Sequence, residues 1–218
     1  MGLNSVDYVS VGKPKIAGAV YRAPKGTALP TDATTALDNA FVCLGYVSED
    51  GLTNSNTAST ETIKAWGGDI VLTPLTEKPD NFSLTLIESL STDVLATVYG
   101  DDNVDGELAT GISIRANSTE LPHSSWVVDM VLRGGVMKRV VIADGQVNEV
   151  GDIVYKDNEA IAYPLTIAAF PGGADFDNDT HKEYIVSASD AANDTTDDTT
   201  NDSGDDQGDD QSDDPYTP

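Results

Sequence analysis

One cysteine, Cys43, stands among the 218 residues, so the chain cannot close a disulfide on itself or build a cysteine-based zinc site. Flanked by Val42 and Leu44, it reads as a small core hydrophobe. Histidine is nearly as scarce: His123 sits in a loop-like LPHSS stretch and His181 opens the last apolar run, with no third group to complete a triad. Cationic side chains number 12 against 37 acidic ones, a formal charge of -25. That balance excludes a duplex nucleic-acid binder, which needs cations against phosphates, and disfavours an anionic membrane surface. No window reaches the 18 apolar residues of a membrane span. The opening MGLNSVDYVSVGKPK has neither a basic start nor an apolar run, so no signal peptide is expected, and Val6 stands where a myristoylation site wants Ser or Thr. A reducing cytoplasm is the expected place of synthesis. Glycine-rich phosphate loops and a Gly-x-Ser-x-Gly elbow are missing too. The chain is therefore expected to be no enzyme and to need no cofactor.

What is present is uneven. Of the acids, 11 Asp fall in 188–218, a segment with no Lys or Arg, leaving 26 acids against 12 bases in 1–187. The 188–218 stretch lacks the apolar residues needed to offset ordering entropy and is expected to be a disordered acidic tail behind a folded domain, 1–187. That domain is expected to be mainly β. Phe82, Leu84 and Leu86 alternate on one face; Ile112 and Ile114 do the same; Trp126, Val128 and Met130 follow, with Asp129 and Arg133 opposite. Trp126 therefore reads as core. Arg133-Gly-Gly-Val136 predicts a Gly-Gly turn, Ala143-Asp-Gly-Gln146 a type I′ hairpin, and Asp157-Asn158 a further turn, together a four-strand meander over about 125–170. One packed α-helix is predicted at about 91–99, with Ser91 as cap, Asp93 in the first turn, and Val94, Leu95, Val98 and Tyr99 on one face. A second short helix is predicted at 32–39.

Asp101-x-Asn103-x-Asp105-Gly106 copies the first half of a calcium-binding loop, but Ile112 stands where the bidentate acid belongs. Asp175-x-Asp177-x-Asp179 has the same oxygen spacing with Thr180 in place of the glycine. A calcium-dependent β-sandwich binding module, with Asp101, Asn103 and Asp105 as ligands, is the alternative reading. The polar stretch Glu49–Gly68 lies between two apolar runs, 46–48 and 69–72. A loop of that length is expected to be functional or mobile, and as an extended loop or hairpin it has too little facial hydrophobicity to be stable alone. It is expected to seek another surface, with Asp50, Thr53, Asn54, Thr57, Thr60 and Trp66 as contact residues.

The ordered series Leu29–Phe41, Leu44–Gly51, Ile63–Gly67, Phe82–Ser89, Val94–Gly100, Trp126–Met130, Ile161–Leu165 and Phe170-Pro171 resembles the major tail proteins of long-tailed bacteriophages, across about residues 20–187. The resemblance implies a β-sandwich or barrel of the tail-tube type with one packed helix. It implies hexameric rings stacked into a tube that conducts viral DNA into the host, in the virion tail and, during assembly, in the host cytoplasm. Implied partners are other copies of the chain, a tape measure protein, and tail initiator and terminator proteins; DNA passes without specific binding and no membrane is contacted. The long loop maps onto the element that reaches a neighbouring subunit. The scattered bases are expected to pair with acids across subunit interfaces, so that high salt weakens assembly.

Overall fold

The computed structural model describes residues 4–15 and 18–187; the acidic tail expected at 188–218 lies outside them. The fold is mainly β, as the alternation requires. The principal strands are β1 (Val20–Pro24), β2 (Val47–Ser55), β3 (Asp80–Leu86), β4 (Ser124–Val131), β5 (Met137–Val150), β6 (Tyr163–Phe170) and β7 (Lys182–Val186), with one α-helix among the described residues, α1 (Thr92–Tyr99). One antiparallel sheet carries them in the order Val42–Cys43, β1, β4, β5, β6, β3, β2, while β7 joins the first half of β5 and Lys13–Pro14 joins the end of β4.

Connectivity forces this sheet to curl. Val42–Cys43 is one edge and β2 the other, yet only residues 44–46 lie between them. Laid flat, seven strands would separate those edges by about 29 Å at the usual strand spacing. The four Cα steps from Cys43 to Val47 span about 15 Å at most. The edges therefore meet across a seam, and the enclosed face holds the main core: Phe82, Leu84, Leu86, Trp126, Val128, Val140, Ile142, Leu165 and Ile167, capped by α1 through Val94, Leu95 and Val98. An eight-residue helix is marginal alone, so this burial, at about 1.5–3 kcal/mol per large apolar side chain, is what holds it. Ser91 accepts from the Val94 N–H at 3.5 Å, and Gly100 ends the helix at φ 98°, its N–H donating to Ala96.

The outer face of the sheet is covered too. Ala23, Val127, Val141 and Ala143 pack under Phe41 and Phe176. The alternation of Trp126, Val128 and Met130 against Asp129 points to one buried face, but β4 is buried on both: Val127 and Asp129 are as buried as Trp126 and Val128. Two further expectations fail. Asp144-Gly145 is not a hairpin, because β5 runs unbroken through both. Gly145 is there for space: a Cβ on it would lie 2.7 Å from Trp126 Cδ1 and 3.0 Å from Ile167 Cγ2, and its carbonyl accepts the indole N–H at 3.1 Å. The meander thus has three strands rather than four. Residues 32–39 form no helix: 32–35 bend, 36–38 are irregular and 39 enters a turn. The Asp32 carboxylate takes the Thr34 and Thr35 N–H groups at 2.7 and 2.6 Å, closing a turn in place of helical bonds. The predicted Gly-Gly turn does form, with Gly134 and Gly135 at φ 75° and 80° between β4 and β5.

Candidate assembly surfaces

The long polar stretch is an arm, but its limits differ from those expected. Its outgoing limb pairs Ser59 and Thr60 with Glu77 and Leu75, and Ile63 and Lys64 with Leu72 and Ile70. The apex is Trp66-Gly67-Gly68, where Ala65 N–H donates to Asp69 at 2.7 Å and Gly67 and Gly68 hold φ of 125° and 100°. Ile70, Val71 and Leu72 therefore form the return limb rather than a body strand. An apolar triplet resembles core, which hid it; the signal that could have found it is Gly-Gly between two extended runs. From Thr53 to Pro79 every residue is exposed save Pro74, which is half-buried. Limbs of about eleven residues reach about 35 Å.

The arm's composition is unlike the rest of the chain. Residues 56–79 hold three acids and two bases, Glu61, Asp69, Glu77, Lys64 and Lys78, a net charge of only -1 within a chain of -25. Ile63, Trp66, Ile70, Val71, Leu72 and Leu75 all stand in solvent. Of the expected contact residues, Thr57, Thr60 and Trp66 lie on this arm. Asp50, Thr53 and Asn54 lie in β2, an edge strand of the body, with Thr53 and Asn54 opposite Ser83 and Phe82.

The arm leaves the body at a buried polar junction. Asp80, 3% exposed, accepts Asn54 Nδ2 at 2.7 Å, Thr180 Oγ1 at 2.6 Å and His181 Nδ1 at 2.5 Å. Burial alone would raise its pKa; the bonds from Thr180, Asn54 and His181 and the His181 charge outweigh burial and hold it below the usual range. Asp144 is arranged alike: burial is outweighed by Lys25 and His123, and its pKa is lowered. Both histidines thus serve as partners of buried aspartates, an arrangement with a structural purpose.

Most of the bases are already engaged within the chain. Lys15, Arg22, Lys25, Arg115, Lys138, Arg139, Lys156 and Lys182 all pair with acids of the same chain. Among the described residues that leaves Lys13, Lys64, Lys78 and Arg133 without an ion pair. The calcium candidates are engaged as well. Asp101 pairs with Arg22, Asp105 with Arg115 at 3.4 Å, and the Asn103 amide lies between Tyr99 O and Asn117. Gly106 serves the short hairpin Val104–Glu107/Gly111–Ile114, where a Cβ would meet Gly111 O. No group of three His, Cys, Asp or Glu gathers for a metal among the described residues, and Asp177 pairs with Lys182.

Comparison with known proteins adds the family. A phage tail tube protein family model matches residues 1–192. A structure described as the anti-feeding prophage cap, the AFP tube terminating cap, is similar at 10% identity and a TM-score of 0.38, over 84% of this chain and 98% of that one; so distant a likeness fixes no correspondence of strands. No curated protein matches. With 192 of its 218 residues matched, the chain belongs to the phage tail tube proteins.

Proposed function

We propose that this phage tail tube protein polymerises as stacked hexameric rings into the tube through which viral DNA leaves the particle, and that it is a structural component without catalysis. The observation that carries the reading is the arm, a near-neutral hairpin with six large apolar side chains in water. An exposed apolar surface of that kind marks an interaction site, and an isolated hairpin of this size gains stability only by packing on something else. In a homopolymer the neighbouring subunit supplies that surface. The charge pattern suits a passive conduit: acids are in excess and eight of twelve bases are already neutralised within the chain, so few cations remain to hold phosphates. A tape measure protein and tail initiator and terminator proteins are the proposed partners, with assembly in the host cytoplasm.

Sedimentation tests this. The full chain, mixed with initiator and tape measure proteins, is expected to pellet as polymer. A chain in which a short Gly-Ser turn replaces residues 57–78 is expected to stay in the supernatant while keeping its melting temperature. Polymer formed equally by both would remove the arm from assembly.

A further inference from the structure

The arm needs a receptor, and strand register places one. β2 and β3 pair at both ends, Val47 with Leu86 at one and Leu52–Ser55 with Leu84–Asn81 at the other, the register shifting over residues 48–51 between them. The arm leaves from the Ser55/Asp80 end. At the Val47 end, where the curled sheet meets across residues 44–46, lies a groove of about 420 Å³ lined by Pro14, Lys15, Cys43, Tyr46, Val47 and Glu88, with the Lys15 ammonium drawn to Asp129 at 3.5 Å. Its size falls within the range of pockets that bury an organic group. Donor and candidate acceptor thus sit at opposite ends of one strand pair, about 17 Å apart along Asn81–Leu86, well within the arm's reach of about 35 Å.

The walls match the arm's tip. Four other cavities each carry at least two carboxylates: Asp144 and Asp175; Asp50 and Glu149; Asp93 and Asp101; Asp101, Asp102 and Glu120. Seating an indole against them would strip water from charges without replacement. The seam groove has one, Glu88, whose Oε1 accepts the Tyr46 N–H at 2.9 Å. Tyr46, in the groove wall, is an exposed apolar residue with no role in the core, as are Val42 and Leu90, close in sequence to Cys43 and Glu88. Glu88 also offers a counter-charge to Lys64, an unpaired base two residues from Trp66. Trp66 is the residue type that anchors interfaces when it enters a closed pocket.

Resting on the proposed tube-forming function, we infer that the arm of one copy seats Trp66 in the seam groove of the next copy, with Lys64 beside Glu88. Because the two surfaces differ and lie at opposite ends of the strand pair, the contact is head-to-tail and repeats without closing on a pair. Each subunit then gives one arm and receives one.

The native cysteine allows a direct test, since Cys43 lines the groove and is the chain's sole thiol. Ala65→Cys places a second thiol beside Trp66 while keeping the indole, and Asp69→Cys is a second version. Polymers of either full-length variant are treated with a mild thiol oxidant, which takes two electrons and two protons per disulfide, and run on non-reducing gels. The expected result is a ladder of trimers and higher species that collapses in a Cys43→Ser background and returns when Tyr46→Cys supplies a new acceptor thiol. Dimers alone that persist with Cys43→Ser would mean arm-to-arm contact and overturn the inference. Polymers without cross-links from either acceptor would overturn it too, leaving the tube-forming function intact. Absence of polymer from the unmodified chain would defeat that function, and the inference with it.

Discussion

Asp129 and Arg139 face each other directly across β4 and β5, both 1% exposed, joined by Nε–Oδ1 at 2.6 Å and Nη2–Oδ2 at 2.9 Å. The remaining guanidinium nitrogen donates to the carbonyls of Asp32 and Thr35 at 3.1 and 2.7 Å. One side chain thus ties the loop before Phe41 down onto the sheet. Removing Asp129 leaves the buried guanidinium without its counter-charge, and removing Arg139 leaves Asp129 only the partly exposed Lys15 at 3.5 Å. Arg139→Ala or Asp129→Ala is expected to lose about 3–5 kcal/mol of stability by denaturant titration. The double change to Leu at 129 and Met at 139 is expected to cost less than either single one. A loss under 1 kcal/mol from Arg139→Ala would show that the loop is held elsewhere.

Acid should weaken the fold through Asp80 and Asp144. Both carboxyls are held below the ordinary aspartate value of about 3.8, because hydrogen-bonding and charged partners outweigh burial. A lowered folded-state pKa gives stability that is fully present above the unfolded value and is lost as pH falls through the folded one. The melting temperature is therefore expected to fall below about pH 4 as these two protonate. Asp80→Asn with Asp144→Asn should lower the plateau at pH 6 and flatten the acid limb. An acid limb of unchanged steepness would place the acid-sensitive groups elsewhere.

Gly145 is expected to resist substitution for reasons of space. Its backbone needs no positive φ, but an added methyl meets the indole of Trp126 and the side chain of Ile167, both fully buried. Gly145→Ala should cost about 1–3 kcal/mol by overpacking. Pairing it with Ile167→Val should recover part of that loss, which calorimetry of the two variants would read.

Trp66→Ala should separate folding from assembly. The indole is fully exposed, so the monomer should melt within about one degree of the parent, as surface changes of this kind alter stability by at most about 0.5 kcal/mol. If the indole anchors a subunit contact, its loss of about 2 kcal/mol raises the critical concentration for polymer roughly thirtyfold. Pelleting assays across a concentration series check this. Because the contact is chiefly apolar, added salt should change that concentration little, contrary to the interface of paired charges that the scattered bases suggest from sequence.

Local periodicity made β3, the helix and the Gly-Gly turn legible: Phe82, Leu84 and Leu86 alternate, and Ser91, Asp93 and Gly100 mark the helix ends. Non-local packing was not. Nothing near Val127 or Asp129 announces that residues 25–41 and Phe176 cover their face, and Asp144-Gly145 reads as a turn unless Trp126, nineteen residues earlier, is known to lie over it. The arm was recognisable as a long polar insertion. Its return limb was not, because Ile70, Val71 and Leu72 look like core and outweigh the Gly67-Gly68 turn signal; their exposure shows otherwise. The groove is harder still, since Pro14, Cys43 and Glu88 meet only because the sheet curls.

Electron microscopy of the full chain assembled with its initiator and tape measure proteins tests the central claim most directly. Hollow tubes of stacked six-subunit rings with an open lumen are expected, carrying arm density from each subunit across to the next. Solid fibres, closed dimers, or tubes in which the arms extend freely into solvent would contradict it.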